Sequence, residues 1–201
     1  MSIVFASPAN ATTIILSTNA TETLGGLTFN NDDLAEYNPT TNTSTSYFDG
    51  DLFTGATDID AVHILGNGNI ILSTYESATL GGLTFDAGDL VEYNPTTDTA
   101  TLYFEGSSFT GSENIDAVHV LDSGNIVLST ADVAILGGLS FTSGDLVEYN
   151  PTTDVATLYF DENNFTGSPN IDAVYVTTVP EPATIPLLGL GCLVLIGRKR
   201  G

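Results

Sequence analysis

The chain has 201 residues with 25 acidic and three basic side chains, which gives a formal net charge of −22 at pH 7. The basic residues all lie at positions 198–200, so residues 1–179 carry every acid except Glu181 and no Lys or Arg. Such a charge repels nucleic acid and anionic lipid, and it excludes nucleic-acid binding as the function. Cys192 is the only cysteine, so no disulfide can form within the chain.

The N-terminal segment MSIVFASPANA contains a short apolar run, Ile3 to Ala6, with no basic residue before it. A secretory signal peptide would begin with positive charge and continue with an apolar run of about 7–15 residues. We therefore interpret residues 1–13 as a degenerate start of the first repeat. The sequence then predicts either that the true start lies upstream or that the chain is a fragment of a longer protein.

The body is a repeat with a period of 56 residues and no insertions. The first repeat covers residues 14–69, the second 70–125 and the third 126–177. The third repeat ends in a spare copy of the strand IDAVHV, which we expect as a strand at Ile171 to Thr177. The remaining residues, 178–201, have a different composition and form a separate C-terminal segment.

Each repeat is predicted to contribute four antiparallel strands. A β-branched run precedes the turn sequence Asp122-Ser123-Gly124-Asn125, and a second pair of strands flanks Pro95-Thr96-Thr97-Asp98. In the middle of the chain these strands are expected at residues 89–94, 100–105, 116–121 and 126–130. No segment before Pro180 has a helical apolar period, so the body is predicted to be all-β.

The segments NIDAVHVLDSGNIVLST and GDLVEYNPTTDTATLYF resemble blades of the kelch and two-component-regulator β-propellers. The resemblance implies tandem four-stranded blades, although the chain has no Trp, which those blades often use for packing. Closed propellers usually have at least four blades. Three repeats therefore predict an open arc, a fragment of a larger ring, or self-association of two chains to complete one ring.

Fourteen acids of the body recur at five positions of the repeat. The columns are Asp33/Asp89/Asp145, Glu36/Glu92/Glu148, Asp49/Glu105/Asp161, Asp60/Asp116/Asp172 and Asp98/Asp154. Ca²⁺ prefers six to eight oxygen ligands, so Asp60, Asp116 and Asp172 are the candidate Ca²⁺ ligands. The alternative is that the acids form turns, cap loop backbones or lie in solvent. We expect no obligatory cofactor and keep Ca²⁺ binding as a hypothesis.

Two further patterns are interpreted as structural. His63 and His119 share one repeat position that Tyr175 occupies in the third copy, which indicates packing rather than catalysis. The Leu-Gly-Gly-Leu segments lack a nearby cation or helix, so we expect a close backbone approach in a connecting loop. Catalysis usually needs an asymmetric set of residues, and this body offers copies. The chain is therefore predicted to be non-enzymatic, with a paired-carboxylate glycosidase as the alternative.

The C-terminal segment reads VPEPATIPLLGLGCLVLIGRKRG. Pro180 and Pro182 flank Glu181 and favour an extended, accessible backbone. The apolar run from Ala183 to Gly197 predicts a transmembrane helix of about 22 Å, somewhat shorter than the hydrocarbon core of about 30 Å. The cations that follow favour the cytoplasmic side: Arg198, Lys199 and Arg200.

This order of Pro-Glu-Pro, apolar helix and basic cluster resembles the PEP-CTERM sorting signal of Gram-negative bacteria. The resemblance implies an exported substrate of a membrane-embedded exosortase, held in the inner membrane before processing and then placed in the cell envelope or outside the cell. Family association links such proteins to exopolysaccharide and biofilm. The alternative function is a propeller-type binding module for carbohydrate or protein, with or without Ca²⁺.

Overall fold

A computed structural model describes residues 13–55, 57–167 and 169–176. It is all-β, as predicted, and the C-terminal segment with the predicted helix at 183–197 lies outside the described residues. Within the described part, no helix is both long and apolar enough to cross a membrane. The strands are β1 Ile14–Leu16, β2 Glu22–Leu24, β3 Leu27–Phe29, β4 Leu34–Asn38, β5 Thr43–Phe48, β6 Ile59–Ile64, β7 Ile70–Thr74, β8 Ala78–Leu80, β9 Leu83–Phe85, β10 Leu90–Asn94, β11 Thr99–Phe104, β12 Ile115–Val120, β13 Ile126–Thr130, β14 Ala134–Leu136, β15 Leu139–Phe141, β16 Leu146–Asn150 and β17 Val155–Phe160.

Among the described residues, the strands form three antiparallel meander sheets and three two-stranded hairpins, β2-β3, β8-β9 and β14-β15. The second sheet has the order β6-β7-β10-β11 and the third has the order β12-β13-β16-β17, so the predicted four-stranded units are confirmed. The first sheet contains three strands among the described residues, in the order β1-β4-β5. A short 3₁₀ helix follows the last strand of each sheet: Gly50–Leu52, Gly106–Ser108 and Glu162–Asn164. Within the described residues, the sheets do not close into a ring.

Each complete sheet combines strands from two sequence repeats. Strand β6 belongs to residues 14–69, and it pairs with β7 from the next repeat, with Val62 opposite Leu72. Strand β12 likewise belongs to the second repeat and pairs with β13 of the third. Backbone hydrogen bonds therefore tie each repeat to the following one, in addition to side-chain packing.

The Leu-Gly-Gly-Leu segments form turns of short hairpins, which the sequence analysis did not predict. In the second sheet, β8 pairs with β9, and the two glycines between them, Gly81 and Gly82, have φ of 54° and 81°. Two consecutive residues with positive φ are typical of a type I′ hairpin turn. The expected close approach is confirmed, since a Cβ atom on Gly81 would lie 2.5 Å from the backbone nitrogen of Ala100.

Adjacent sheets are joined by an aromatic seam, which takes the place of the Trp packing that the chain lacks. In the second sheet, the ring of Phe104 lies 5.4 Å from Phe109 and 5.4 Å from Tyr149 of the third sheet, both edge-to-face. The same contacts join the first sheet to the second through Phe48, Phe53 and Tyr93. Such ring pairs contribute about 0.5–1.5 kcal/mol each beyond burial.

The predicted spare strand at Ile171 to Thr177 is not formed in residues 171–176, and Thr177 lies outside the described residues. The segment runs beside β12 and the loop before β16, where the Ile171 amide donates to the carbonyl of Ser143 at 3.0 Å. No strand among the described residues pairs with it. A strand needs a ladder partner for its backbone groups, so this segment remains irregular.

Candidate functional site

The candidate site is the inner surface, defined as the face lined by β6, β12 and segment 169–176. Strands β6 and β12 lie against each other, and Asp60 and Asp116 occupy β-bulges at which each strand shifts register against its neighbour. A bulge re-aims a side chain out of the normal alternation of a strand. These carboxylates line a pocket of about 530 Å³ together with Asp172, Asn114 and Asn170.

Asparagine side chains connect the aspartates of neighbouring inner strands. Asn114 Nδ2 donates to Asp60 Oδ2 at 2.6 Å, and Asn170 Nδ2 donates to Asp116 Oδ2 at 2.9 Å. Asn170 also donates to Asp172 Oδ1 at 2.7 Å. These asparagines were not predicted from the sequence, although their repetition at one position of the 56-residue repeat is a signal that could have indicated them.

Burial changes the ionisation of the inner aspartates. Desolvation raises the pKa of Asp60 to about 6, and the hydrogen bond from Asn114 opposes this rise. The neighbouring carboxylates, Asp116 and Asp172 among them, raise the pKa of Asp60 further. Desolvation also raises the pKa of Asp116. The inner surface therefore holds carboxylates that resist ionisation at mildly acidic pH.

The proposed Ca²⁺ ligands lie along this surface, but they are engaged with amide donors. Asp60 accepts a hydrogen bond from Asn114, directly before β12, and Asp116 accepts one from Asn170 in segment 169–176. In the part of the chain that the structure describes, no group of three or more His, Cys, Asp or Glu side chains is arranged to hold a metal ion. Ca²⁺ binding stays a prediction.

The column Asp33/Asp89/Asp145 holds loop backbone together. Asp89 Oδ1 accepts from the Gly106 amide at 2.7 Å, and its Oδ2 accepts from the Asp86 amide at 2.9 Å. The carboxylate thus joins the 3₁₀ helix after β11 to the loop before β10. The other two copies make the same pair of contacts: Asp33 with Gly50 and Asn30, and Asp145 with Glu162 and Thr142.

Two other acidic columns also have partners inside the fold. Asp98 and Asp154 have φ of 52° in the hairpin turns, and Asp98 Oδ1 accepts from the Tyr93 hydroxyl at 3.0 Å. Glu92 accepts from Asn69 Nδ2, and Glu148 accepts from the equivalent asparagine in the same way. Asp98 and Asp154 thus lie in turns, as the structural alternative expected, whereas Glu92 was expected to lie in solvent and instead accepts from an amide.

His63, His119 and Tyr175 form a stack at the other end of the inner strands. The two histidine rings lie 4.6 Å apart and the rings of His119 and Tyr175 lie 5.2 Å apart, all edge-to-face. Desolvation lowers the pKa of His63 to about 4, and burial lowers the pKa of His119 as well. Both imidazoles are therefore neutral at pH 7, which agrees with a packing role.

Comparison with known proteins identifies the C-terminal segment. The model of the family described as the PEP-CTERM protein-sorting motif matches residues 178–200. This chain carries a PEP-CTERM sorting signal. It is therefore an exported protein that an exosortase processes at the membrane before release to the cell envelope or the extracellular space. The signal residues themselves, Pro180 to Pro182 and Arg198 to Arg200, lie outside the described part of the structure.

Three solved structures resemble the body of this chain at 10–11% identity. One is the extracellular domain of a hybrid two component system from B. thetaiotaomicron, with 11% identity, 74% of this chain and 17% of that chain covered and a TM-score of 0.35. Another, described as the extracellular domain of a one component system from the same organism, has 11% identity, coverages of 75% and 17% and a TM-score of 0.36.

The third is a protein of unknown function from Bacteroides caccae, with 10% identity, 76% of this chain and 61% of that chain covered and a TM-score of 0.33. This chain thus spans 17% of the length of the first two proteins and 61% of the third. No curated protein matches the chain.

Proposed function

We propose that the repeats form a non-enzymatic module that the PEP-CTERM signal delivers to the cell envelope or extracellular matrix, where it serves as a structural component. The observation that carries this proposal is the use of the repeated acids inside the fold. Asp89 accepts from two backbone amides, Asp98 from a tyrosine hydroxyl and Glu92 from an asparagine amide. Side chains engaged in this way favour a structural role over nucleophilic or acid–base catalysis.

The surroundings of this module are proposed to be an exopolysaccharide or biofilm matrix. The first two small hairpins carry threonine pairs in exposed contacts, such as Thr79 and Thr84, whose hydroxyls lie 2.8 Å apart. Residues 1–179 have no Lys or Arg, so an acidic polysaccharide would be repelled. The polymer that suits this surface is therefore a neutral or a cationic one.

A carbohydrate-binding role for the inner surface is the second candidate, and one asymmetric residue favours it. Tyr75 is exposed and lines the pocket beside Asp60 and Asn114, whereas Asn19 and Ala131 occupy its position in the other repeats. An aromatic ring beside hydrogen-bonding side chains offers a sugar both an apolar face and polar partners.

Cell fractionation tests the sorting and placement. In a host with an exosortase, we expect the body in the envelope or the medium with a shortened tail. In the same host without the exosortase, full-length chain should remain in the inner membrane. A variant with Pro180, Glu181 and Pro182 all changed to Ala should behave like the wild type in the host without exosortase. Release that does not depend on the enzyme or on these residues would contradict the proposal.

A glycan array and a polysaccharide-hydrolysis screen separate the structural role from its rivals. A structural module should give no selective glycan signal and no hydrolysis. Selective binding that Tyr75→Ala abolishes, while Glu76→Gln at the neighbouring exposed position leaves it intact, would establish the carbohydrate-binding alternative. Any turnover of a polysaccharide by the purified chain would overturn the non-enzymatic assignment.

A further inference from the structure

The three sheets follow one another as an array. Residues at the same repeat position are buried in the middle of this array and exposed at its two ends. At the first sheet, Ile14 of β1 is 44% exposed, whereas its counterpart Ile70 is 1% exposed. At the other end, Tyr175 is 79% exposed, whereas His119 at the same repeat position is 7% exposed. Each end of the chain of sheets thus exposes residues whose counterparts in the middle are buried against a neighbouring strand or sheet.

The two ends complement each other. We propose that two copies of this chain associate head to tail into one closed ring, in which segment 171–176 of each copy becomes the inner strand of the first sheet of the other copy. In the second sheet, the inner strand β6 pairs with β7. Strand β1 occupies the same repeat position in the first sheet as β7 does in the second. Segment 171–176 carries the sequence IDAVYV, which matches IDAVHI of β6 and IDAVHV of β12.

The repeat fixes the register of this pairing. In the second sheet Ala61, Val62 and His63 face Ser73, Leu72 and Ile71. Moving β6 forward by two repeats and β7 back by one repeat turns these pairs into Ala173 with Ser17, Val174 with Leu16, and Tyr175 with Ile15. Because a slip of one residue would send every side chain to the wrong face of the sheet, the register is a sharp expectation.

At each end of the array, the aromatic seam is incomplete: one end has the Phe pair and the other end has the Tyr that such a pair contacts. Phe160 and Phe165 of the third sheet pack on each other at 5.4 Å, as the other Phe pairs do, but no tyrosine of a following sheet covers them among the described residues. Phe165 is 44% exposed, whereas Phe109 is 5% exposed. Tyr37 of β4 is the counterpart of Tyr93 and Tyr149, and it receives no Phe ring from a preceding described sheet. Association places Phe160 of one copy against Tyr37 of the other.

The number of sheets agrees with closure. Two copies of the described residues, with three sheets each, give a ring of six, within the range of about four to eight blades that closed propellers use. A two-fold axis relates the two identical contacts, so the assembly ends at two copies. Residues 1–12 lie outside the described structure, and the test below distinguishes coverage of β1 by this segment from coverage by a second copy.

Disulfide trapping in the full-length chain in mild detergent tests the ring. The variant carries Ile15→Cys and Tyr175→Cys, with Cys192→Ser to remove the native thiol. On oxidation we expect a covalent dimer of twice the 21.0 kDa chain on a non-reducing gel, with no higher species. A ladder of larger species would show an open filament, and a fast-migrating monomer would show closure within one chain. Either result, or no crosslink at all, overturns the proposal.

Two controls keep the result independent of folding. Leu16→Cys with Tyr175→Cys puts the two thiols on opposite faces of the sheet, so it should not crosslink under the same conditions. Val174→Pro removes a backbone donor from the segment that joins the partner, and this segment pairs with no sheet among the residues that the structure describes. It should yield monomers by sedimentation while the far-UV circular dichroism stays that of the wild type. A dimer that survives this substitution contradicts the pairing.

Discussion

Asn114 donates a hydrogen bond of 2.6 Å from Nδ2 to Oδ2 of Asp60, which lies 54 residues earlier in the chain. The same contact recurs one repeat later, from Asn170 to Asp116. The bond from Asn114 fixes the second and third sheets to each other at the inner surface, in addition to the aromatic seam, and the bond from Asn170 ties segment 169–176 to β12. The aspartates reach these amides because each occupies a bulge.

The ionisation of Asp60 is expected to weaken the fold as the pH rises. Its folded-state pKa of about 6 lies above the ordinary value of 3.8, so between these values the folded chain holds more protons than the unfolded chain. The free energy of unfolding therefore falls as the pH rises from about 4 to about 6. Asp60→Asn keeps an oxygen for Asn114 and removes the charge. We expect a higher urea midpoint at pH 7 and a flatter pH dependence.

Urea unfolding at several pH values measures this difference. Glu76→Gln removes one exposed charge outside the pocket and serves as the matched control. The control should follow the wild-type pH dependence. If Asp60→Asn and Glu76→Gln shift the midpoint equally, the effect is one of net charge, and the explanation through buried Asp60 is wrong.

The four-stranded unit could be predicted from the sequence because its turn and strand signals are local. The turn glycine Gly124 has φ of 83°, and Asp98 has the left-handed conformation that its hairpin needs. The sequence also places the sorting signal, whose order of Pro-Glu-Pro, apolar run and cations lies within 23 consecutive residues. Both features could be predicted because each depends on residues that are close in the chain.

Contacts between sheets were not predictable in the same way. Two contacts join residues of different repeats: the hydrogen bond from Asn114 to Asp60 and the ring contact of Phe104 with Tyr149. The residue pattern within one repeat does not indicate which side chain of a neighbouring sheet each residue contacts. The hairpin at Gly81 was missed because its strands have three residues each, too short for a visible alternation. The fate of segment 171–176 depends on a partner strand that the local sequence does not contain.

Asp89→Ala is expected to destabilise the fold. The substitution removes the acceptors of the Gly106 and Asp86 amides. The contact of the Gly106 amide is part-buried, and a buried donor left without a partner costs about 1–3 kcal/mol, whereas the exposed Asp86 amide can bond to water. We expect a loss of about 1–3 kcal/mol in the free energy of unfolding by urea. Asp122→Ala in the exposed turn should change the free energy of unfolding by less than about 0.5 kcal/mol. Equal losses in the two variants would contradict the role of Asp89 in holding the loop backbone together.

Alanine substitutions at two adjacent glycines, Gly81 and Gly82, distinguish the cost of a steric clash from the cost of backbone strain. Gly81→Ala would place a Cβ atom 2.5 Å from the Ala100 nitrogen, whereas Gly82→Ala meets nothing within 4 Å. Both have positive φ, so each alanine carries a conformational cost of about 1–2 kcal/mol. We expect Gly81→Ala to lower the thermal midpoint clearly more than Gly82→Ala. Similar midpoints would mean that the hairpin moves away from β11 without loss.

Calorimetric titration with Ca²⁺ tests the cation hypothesis for Asp60, Asp116 and Asp172. Since Asp60 and Asp116 already accept from amides, we expect no saturable heat and no shift of the melting temperature. Mg²⁺ at the same ionic strength controls for screening of the acidic surface. A saturable heat with Ca²⁺ that Asp116→Asn removes would establish a site on the inner surface.

Asp58→Asn is expected to strengthen the proposed ring. Asn114 and Asn170 occupy this repeat position and donate to the aspartate of the preceding inner strand, whereas the first copy has Asp58. In the ring, Asp58 of one copy faces Asp172 of the other, and an ionised carboxylate cannot donate. An amide restores the hydrogen bond, worth about 1.5 kcal/mol, so the dimer dissociation constant should fall about tenfold at each contact.

Sedimentation equilibrium of the full chain in detergent at pH 7 measures the change. Asp32→Asn is the matched control because Asp32 is a neighbouring acid that raises the pKa of Asp58, and its replacement removes the same charge without adding a donor to the ring contact. Asp58→Asn should tighten association well beyond this control. Equal tightening would assign the effect to charge alone, and unchanged association would place position 58 outside any contact between copies.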